Sequence, residues 1–409
     1  MKQDRNICNN LKPIRNRLGM SQQDLANMVG VTRQAIAAVE TGQCAPSVTI
    51  CLRLAKALGC QVEDLFWLEE EDLPKIEAIL AGSTSNIQRS QVSLARIGDR
   101  WIAYPLLGRD AFRLEMIPSD GELVAVSHPI AGSGVSDVAE SPSKGNRPSE
   151  LSNTGASTVR VDRFSVRLLD DIDKLHNTVV IAGCTPVLSL LARATERWHP
   201  QLRVHYRFAH SMAALHSLER GEVHIAGMHL YDPQTGEHNI PFVRKVLTGK
   251  DAVLITLGIW QEGLLVPPGN PMKIKTVSDL VEFGATVVTH EVGSGNRMLL
   301  ERKLQEERVP FDVVKRFDRI VHNHQDVALS IVSGIADAGI STASIAATFG
   351  LGFIPLHSAR YDLVILKEYL EEAPVEQFLN ILGNRLVRSQ LQILGGYDIS
   401  KTGEVVANI

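Results

Sequence analysis

The sequence predicts a multidomain chain: a small all-α head, a β-rich connector, and a larger α/β domain of two similar lobes. Three observations carry this. Up to residue 68, short helical patterns are separated by glycines, and eight basic against five acidic residues give that segment +3, although the 409-residue chain is −4 overall. The acidic run Glu69-Glu70-Glu71-Asp72 then marks a change of composition. From about residue 175, apolar runs alternate with helical periodicity, the pattern of a parallel sheet covered by helices. The length agrees, since domains run to roughly 100–200 residues each.

The head is read element by element. Residues 11–18 form a short amphipathic helix. Ser21, with Asp24 three residues on, starts a second one whose stripe is Leu25, Ala26 and Val29. Gly30 ends it. Thr32 caps a third helix, 33–41, with Ala35, Ile36 and Val39 inward, and Gly42 stops it. Helices at 49–58 and 62–67 complete a five-helix unit. Two helices joined by a glycine-containing turn, the second opening on polar side chains, make a helix-turn-helix. In that arrangement the second helix enters the major groove. Arg33 can pair with guanine and Gln34 with adenine. Thr32 and Gln22 stand at the two helix starts, where backbone phosphates are favoured.

The connector, 69–130, carries strand-like runs at 92–97, 100–104, 113–117 and 122–127, with Gly98-Asp99 and Ser119-Asp120-Gly121 as turns. Residues 131–159 are rich in Ser and Gly and lack aromatics, which predicts a flexible insertion. The α/β domain is placed at 160–409. Its strands are expected at 178–182, 203–208, 223–226, 285–289 and 336–340, and its helices at 186–198, 212–220, 296–307 and 328–333. The runs Gly183-Cys184-Thr185-Pro186 and Gly293-Ser294-Gly295-Asn296 each open a helix after a strand, and 220–227 echoes 333–340. This internal repeat predicts two lobes.

Composition excludes several classes. With 44% hydrophobic and 22% charged residues, wholesale disorder is excluded, and a net charge of −4 excludes a globally basic coat. No apolar run approaches the ~20 residues of a membrane span, and the first residues have no apolar signal region. Five cysteines without a C-x-x-C pair argue for a reducing cytoplasm, with neither disulfide framework nor zinc site. No metal or cofactor is predicted.

Thr185 and Ser294 stand at helix starts at the carboxyl ends of strands, where open α/β sheets bind ligands. Free N–H groups and the helix dipole there favour an anion. Two such ends facing each other across a cleft would clamp a small oxyanion or carboxylate. Gly295, Asn296 and Arg297 complete the second end. His229 is read either as a ligand contact or as a structural hydrogen-bonding group. His322 and His324 flank Asn323, but with no third ligand at metal spacing they read as a surface loop. Cys184 sits by a helix start, yet no base is identifiable near it, so it reads as a buried small residue.

The segment from residue 11 to 66 closely resembles the Cro/C1-type (XRE, lambda-repressor-like) helix-turn-helix family. The resemblance rests on Ser21-Gln22-Gln23-Asp24-Leu25-Ala26, Val31-Thr32-Arg33-Gln34-Ala35-Ile36 and Val39-Glu40-Thr41-Gly42. It implies operator DNA as partner. Residues 179–405 resemble the PBP superfamily, through Ala182-Gly183-Cys184, 226–239, Gly293-Ser294-Gly295-Asn296-Arg297, Ala336-Asp337-Ala338-Gly339, Arg360-Tyr361-Asp362-Leu363 and Gly395-Gly396-Tyr397-Asp398. That resemblance implies the two-lobe fold of type II periplasmic binding proteins and molybdate-like or related small ligands. Residues 266–271 look like the crossover into the second lobe, and 353–356 like the return. The chain departs from the family pattern at Thr185, where an acidic residue is usual, and at Asn296, where Thr is usual.

Together these readings predict a cytoplasmic transcriptional regulator, a homodimer on a palindromic site, that senses a small anion and is not an enzyme. The rival is an enzyme or molybdenum-cofactor-handling protein with an autoregulatory DNA-binding module. The absence of a recognisable nucleophile–base–orienter set disfavours it.

Overall fold

A computed structural model describes residues 7–68, 74–82, 90–108, 117–127 and 163–409. The expected insertion at 131–159 and most of the expected strand at 113–117 lie outside the described residues. The chain divides into two compact units, Met1–Pro74 and Lys75–Ile409.

In the first unit, helices α1 (Leu11–Arg17), α2 (Gln22–Val29), α3 (Arg33–Glu40), α4 (Val48–Leu58) and α5 (Val62–Leu65) enclose one apolar core. Leu11, Leu25, Ala26, Ile36, Leu54 and Leu65 are its fully buried members. Ser21 and Asp24 form a reciprocal capping box at the start of α2, and Gly30 ends that helix in the left-handed region at φ 78°. Only glycine takes this φ without a steric penalty. The final segment corrects the expected helix at 62–67. Its end is a strand, β2 (Phe66–Leu68), because it pairs antiparallel with β1 (Ile7–Asn9).

The second unit begins with a closed barrel in the order β3 (Lys75–Leu80), β5 (Arg100–Pro105), β4 (Gln91–Ile97), β6 (Gly121–Ser127) and β7 (Arg163–Leu168). Residues 163–168, expected to belong to the α/β domain, are therefore the fifth barrel strand. They pair with both β3 and β6, and closure removes the exposed edges an open sheet would leave. The barrel shares a core with the first lobe. Ile97, Ile102 and Tyr104 pack with its residues, and the Tyr104 hydroxyl donates to the Glu222 carbonyl at 2.6 Å.

One nine-stranded sheet runs through both lobes. After a short helix α6 (Ile172–His176), the first lobe places β8 (Thr178–Gly183) between β9 (Arg203–Phe208) and β10 (Ile225–Met228), all parallel, with α7 (Val187–Trp198) and α8 (Ser211–Glu219) as crossovers. A short hairpin, β11 (Tyr231–Asp232) and β12 (Glu237–His238), and helix α9 (Ile240–Val246) follow. In the second, after α10 (Asp279–Glu282), β14 (Val287–Val288) pairs parallel with β15 (Ala338–Thr342), with α11 (Gly295–Glu306) and α12 (His324–Val332) between them in sequence. Two 15-residue strands, β13 (Ala252–Val266) and β16 (Gly352–Leu366), pair antiparallel along their length and belong to both lobes. They are the crossover and the return: the crossover expected at 266–271 lies earlier, within β13, whose residues 262–265 already pair with β15, while residues 353–356 do lie on the returning strand β16.

Candidate functional site

The first candidate surface is the start of α3. Arg33 and Gln34 are exposed there, and the Thr32 hydroxyl accepts from the Ala35 N–H at 3.1 Å, which fixes the turn. Gln22 is half-buried and already engaged. Its amide donates to Glu40 Oε2 at 2.8 Å, while Arg33 Nε lies 3.4 Å from its carbonyl oxygen. Glu40 also receives Arg15 Nε at 2.5 Å and Nη2 at 3.2 Å. One carboxylate thus ties α1, α2 and α3 together. Gln22 thereby braces α3 against α2.

The second candidate is the junction of the two lobes. The carboxyl ends of β8, β9 and β10 present Cys184, His210 and His229 from the first lobe. His290, which follows β14, and His324, the first residue of α12, come from the second. All five are buried. Successive rings are in contact range: His210 to His290 at 5.3 Å between centroids, His290 to His324 at 5.7 Å, and His324 to His229 at 6.2 Å. Cys184 Sγ lies 3.2 Å from His229 Nε2. On the other side of that ring, Nδ1 lies 2.6 Å from Glu262 Oε1, an ion pair whose two side chains are each 2% exposed. Trp260 Nε1 donates to the same carboxylate oxygen at 2.9 Å. Both Trp260 and Glu262 stand on β13.

Electrostatics divides the histidines. Burial alone would lower His229, but Cys184 and Glu262 outweigh it and raise it to about 10. Burial, with neighbouring histidines adding to it, lowers His210 to about 4 and His290 to about 3, and holds His324 well below the usual range. At the junction, His229 is thus held toward its charged form beside Cys184 and Glu262, whereas His210, His290 and His324 are held toward the neutral form.

The expected ligand residues fare differently. Ser294 is buried and its hydroxyl accepts from the Arg297 N–H at 3.2 Å, so it caps α11. Thr185 is fully buried and accepts from the Val187 N–H at 3.3 Å. Gly295 packs directly on His229: a Cβ there would come within 2.6–2.7 Å of that residue's ring and carbonyl. Asn296 Nδ2 lies 3.3 Å from His324 Nδ1 and donates to the Ile340 carbonyl at 3.3 Å. Arg297 turns elsewhere. It bonds Glu301 at 2.6 Å and Thr289 at 3.0 Å, with its guanidinium 4.1 Å above the Phe317 ring. Its charge is spent within its own lobe.

Two expectations are corrected. His324 is not in a surface loop: Asn323 caps α12 through the Asp326 N–H at 2.8 Å and carries His324 into the core, while His322 stays exposed. Cys184 does have a base beside it, His229, from 45 residues further along the chain. Glu262 went unread, although it is the only acid in the apolar strand 252–266 and so carried a signal. His210 and His290 carried another, since each follows a strand at its carboxyl end. A pocket of about 200 Å³ reaches His229 and Glu262 from outside, lined also by Tyr231, Arg302 and His357. Cys184 is not among its lining residues.

This fold defines a helix-turn-helix head joined in sequence to an α/β domain of periplasmic-binding type. The comparisons agree. Residues 11–65 match the helix-turn-helix family and residues 192–383 match the PBP superfamily domain. The chain is 34% identical over 229 residues to the protein YvgK of Bacillus subtilis, covering 56% of this chain and 73% of that one. Its head is 48% identical over 64 residues to an uncharacterised HTH-type transcriptional regulator of the same organism, YgzD, covering 16% of this chain and 97% of the relative. An ABC-type phosphate transport receptor from Vibrio cholerae is similar at TM-score 0.38 and 16% identity, over 54% of this chain and 98% of the receptor, a score too low to carry an argument. The chain belongs to the Cro/C1-type helix-turn-helix regulators that carry a PBP superfamily domain.

Proposed function

We propose that this chain is a cytoplasmic, sequence-specific transcriptional regulator whose two lobes close on a small ligand at their histidine-lined junction. The carrying observation is that Cys184, His210 and His229 of one lobe meet His290 and His324 of the other. A ligand held there touches both lobes, and its binding energy biases their relative placement. Among the described residues no helix is long and apolar enough to cross a membrane. A homodimer on a palindromic operator supplies the base contacts that one head lacks.

The ligand reading is a small anion, an oxyanion such as molybdate among the candidates. Its support is the set of helix starts at the junction, those of α8, α11 and α12, whose N–H groups and dipoles favour negative charge. The enzymatic alternative draws on Cys184, His229 and Glu262, which have the order of nucleophile, base and orienter. Burial of the thiol away from the pocket favours a binding site over catalysis. Two measurements test the reading. Arg33→Ala and Gln34→Ala should each lose about 1–3 kcal/mol of discrimination for the cognate operator. Unchanged sequence preference of both in competition gel shifts would remove α3 as the reading element. Oxyanions and small carboxylates should raise the melting temperature of the second unit and alter operator affinity.

A further inference from the structure

We propose that Cys184, His229 and His324 form a site for a thiophilic divalent transition-metal ion of the zinc class, set across the junction of the lobes. One ligand atom from each of these three buried residues lies within 4.8 Å of the other two. Sulfur and imidazole nitrogen together suit zinc and its neighbours, and do not suit magnesium or calcium. The inference rests on the reading that the lobe junction is the ligand site, and it names the class of ion that site takes.

The surroundings fit metal ligation better than simple core packing. A ligating histidine characteristically offers its other ring nitrogen to a carboxylate or another polar group, which fixes the ring. His229 has that arrangement: Nε2 faces the thiol at 3.2 Å and Nδ1 faces Glu262 at 2.6 Å, and Glu262 is held by Trp260. His324 has it too. Its Nδ1 lies 3.0 Å from Ser341 Oγ, which can accept the Nδ1 proton and leave Nε2 to coordinate. A buried carboxylate inside an apolar strand is costly unless something requires it. Orienting a ligand is such a requirement. Gly295 supplies the room, because any Cβ there would strike the His229 ring.

Binding displaces two protons to solvent, that of the Cys184 thiol and the one on His229 Nε2, so that both atoms can coordinate. A thiolate and two neutral imidazoles would leave a divalent ion with a net charge of +1. Arg297 is turned away to Glu301, Thr289 and Phe317, so its guanidinium does not meet an anion at Cys184, His229 and His324. The metal would supply that positive charge. Cys184 and His229 belong to the first lobe and His324 to the second, so the ion ties the lobes together.

The test is cobalt(II) titrated into the full-length, reduced, chelator-treated chain. We expect saturation at one ion per chain, with a thiolate-to-cobalt charge-transfer band in the near ultraviolet. Cys184→Ser should abolish the band, whereas Cys44→Ser and Cys51→Ser in the head should keep it. His324→Asn and Glu262→Gln should weaken binding roughly 10–100-fold. These two variants retain the thiol, so they decide the matter if Cys184→Ser fails to fold. Absence of the band, its survival in Cys184→Ser, or unaltered affinity in both His324→Asn and Glu262→Gln would overturn the proposal. If zinc binds at this site and operator affinity does not change, the metal site stands and the ligand-sensing reading falls. If cobalt does not bind while an oxyanion stabilises the domain, only the metal proposal falls.

Discussion

At Glu40, burial and hydrogen bonding act in opposite directions. Burial alone would raise this carboxyl, but the bonds from Arg15 and Gln22, with the nearby charges of Arg15 and Lys12, lower it below its ordinary 4.5. The sign follows from linkage: a depressed carboxylate stabilises the fold above its unfolded pKa, and that contribution is lost as pH falls through the folded value. The unfolding midpoint of the head should therefore hold steady from neutral pH down to about 5 and fall below that. Glu40→Ala should lower head stability by about 3 kcal/mol, because it strands the buried Arg15 guanidinium. Arg15 keeps its bond to the Met20 carbonyl, which places the loss at the low end for a buried pair. The same variant should flatten the acid limb, and calorimetric scans of wild type and variant across this pH range check both points.

At the scale of elements, the turn between α2 and α3 depends on Gly30. At φ 78° any side chain is strained, although space is not the obstacle: a Cβ would meet only Arg53 Nη1 at 3.7 Å. Gly30→Ala should cost about 1–2 kcal/mol from backbone conformation alone, read as a lower denaturant midpoint with unchanged slope. The crossing strands present the opposite case. Gly263 on β13 sits where the register shifts against β16, and a Cβ there would lie 2.0 Å from the Ile354 carbonyl oxygen. Gly263→Ala must push the two strands apart where one lobe passes into the other. An overpacking loss of about 1–3 kcal/mol is expected, seen in urea unfolding of the second unit with the head transition unmoved.

For the molecule as a whole, the question is what draws the lobes together. Ser294 caps α11 at the junction, and aspartate is an equally good cap. Ser294→Asp should therefore keep the helix while placing a negative charge where an anion would bind. At roughly 4 Å and an effective dielectric near 20, like charges repel by about 4 kcal/mol. Calorimetry at matched pH and salt should show the response to oxyanions lost and operator binding by the head retained. Undiminished anion affinity would mean that the anion sits elsewhere or that the ligand is not an anion.

How much of this was legible follows from where the determining contacts lie along the chain. The head was readable because its signals are local. Ser21 and Asp24 form their capping box across three residues, Thr32 caps within its own turn, and Gly30 and Gly42 take positive φ where the helices stop. The lobes were readable as strand–helix repeats, since apolar periodicity reports which face each element buries. Residues 66–67 were read as helix and residues 163–168 as part of the α/β domain, because their pairing with distant strands, β1 and β3, leaves no local signal. The junction lay further out of reach. Cys184 and His324 looked ordinary alone, His229 stayed open between two roles and Glu262 went unread, and only the doubly shared strands β13 and β16 bring both lobes onto one sheet. Sequence by itself determined the class of protein, a helix-turn-helix head with a two-lobe binding domain, because caps, turns and hydrophobic period act over a few residues. Tertiary structure alone decided the chemistry of the cleft, because a thiol, imidazoles and a carboxylate acquire their meaning from neighbours that chain order does not supply.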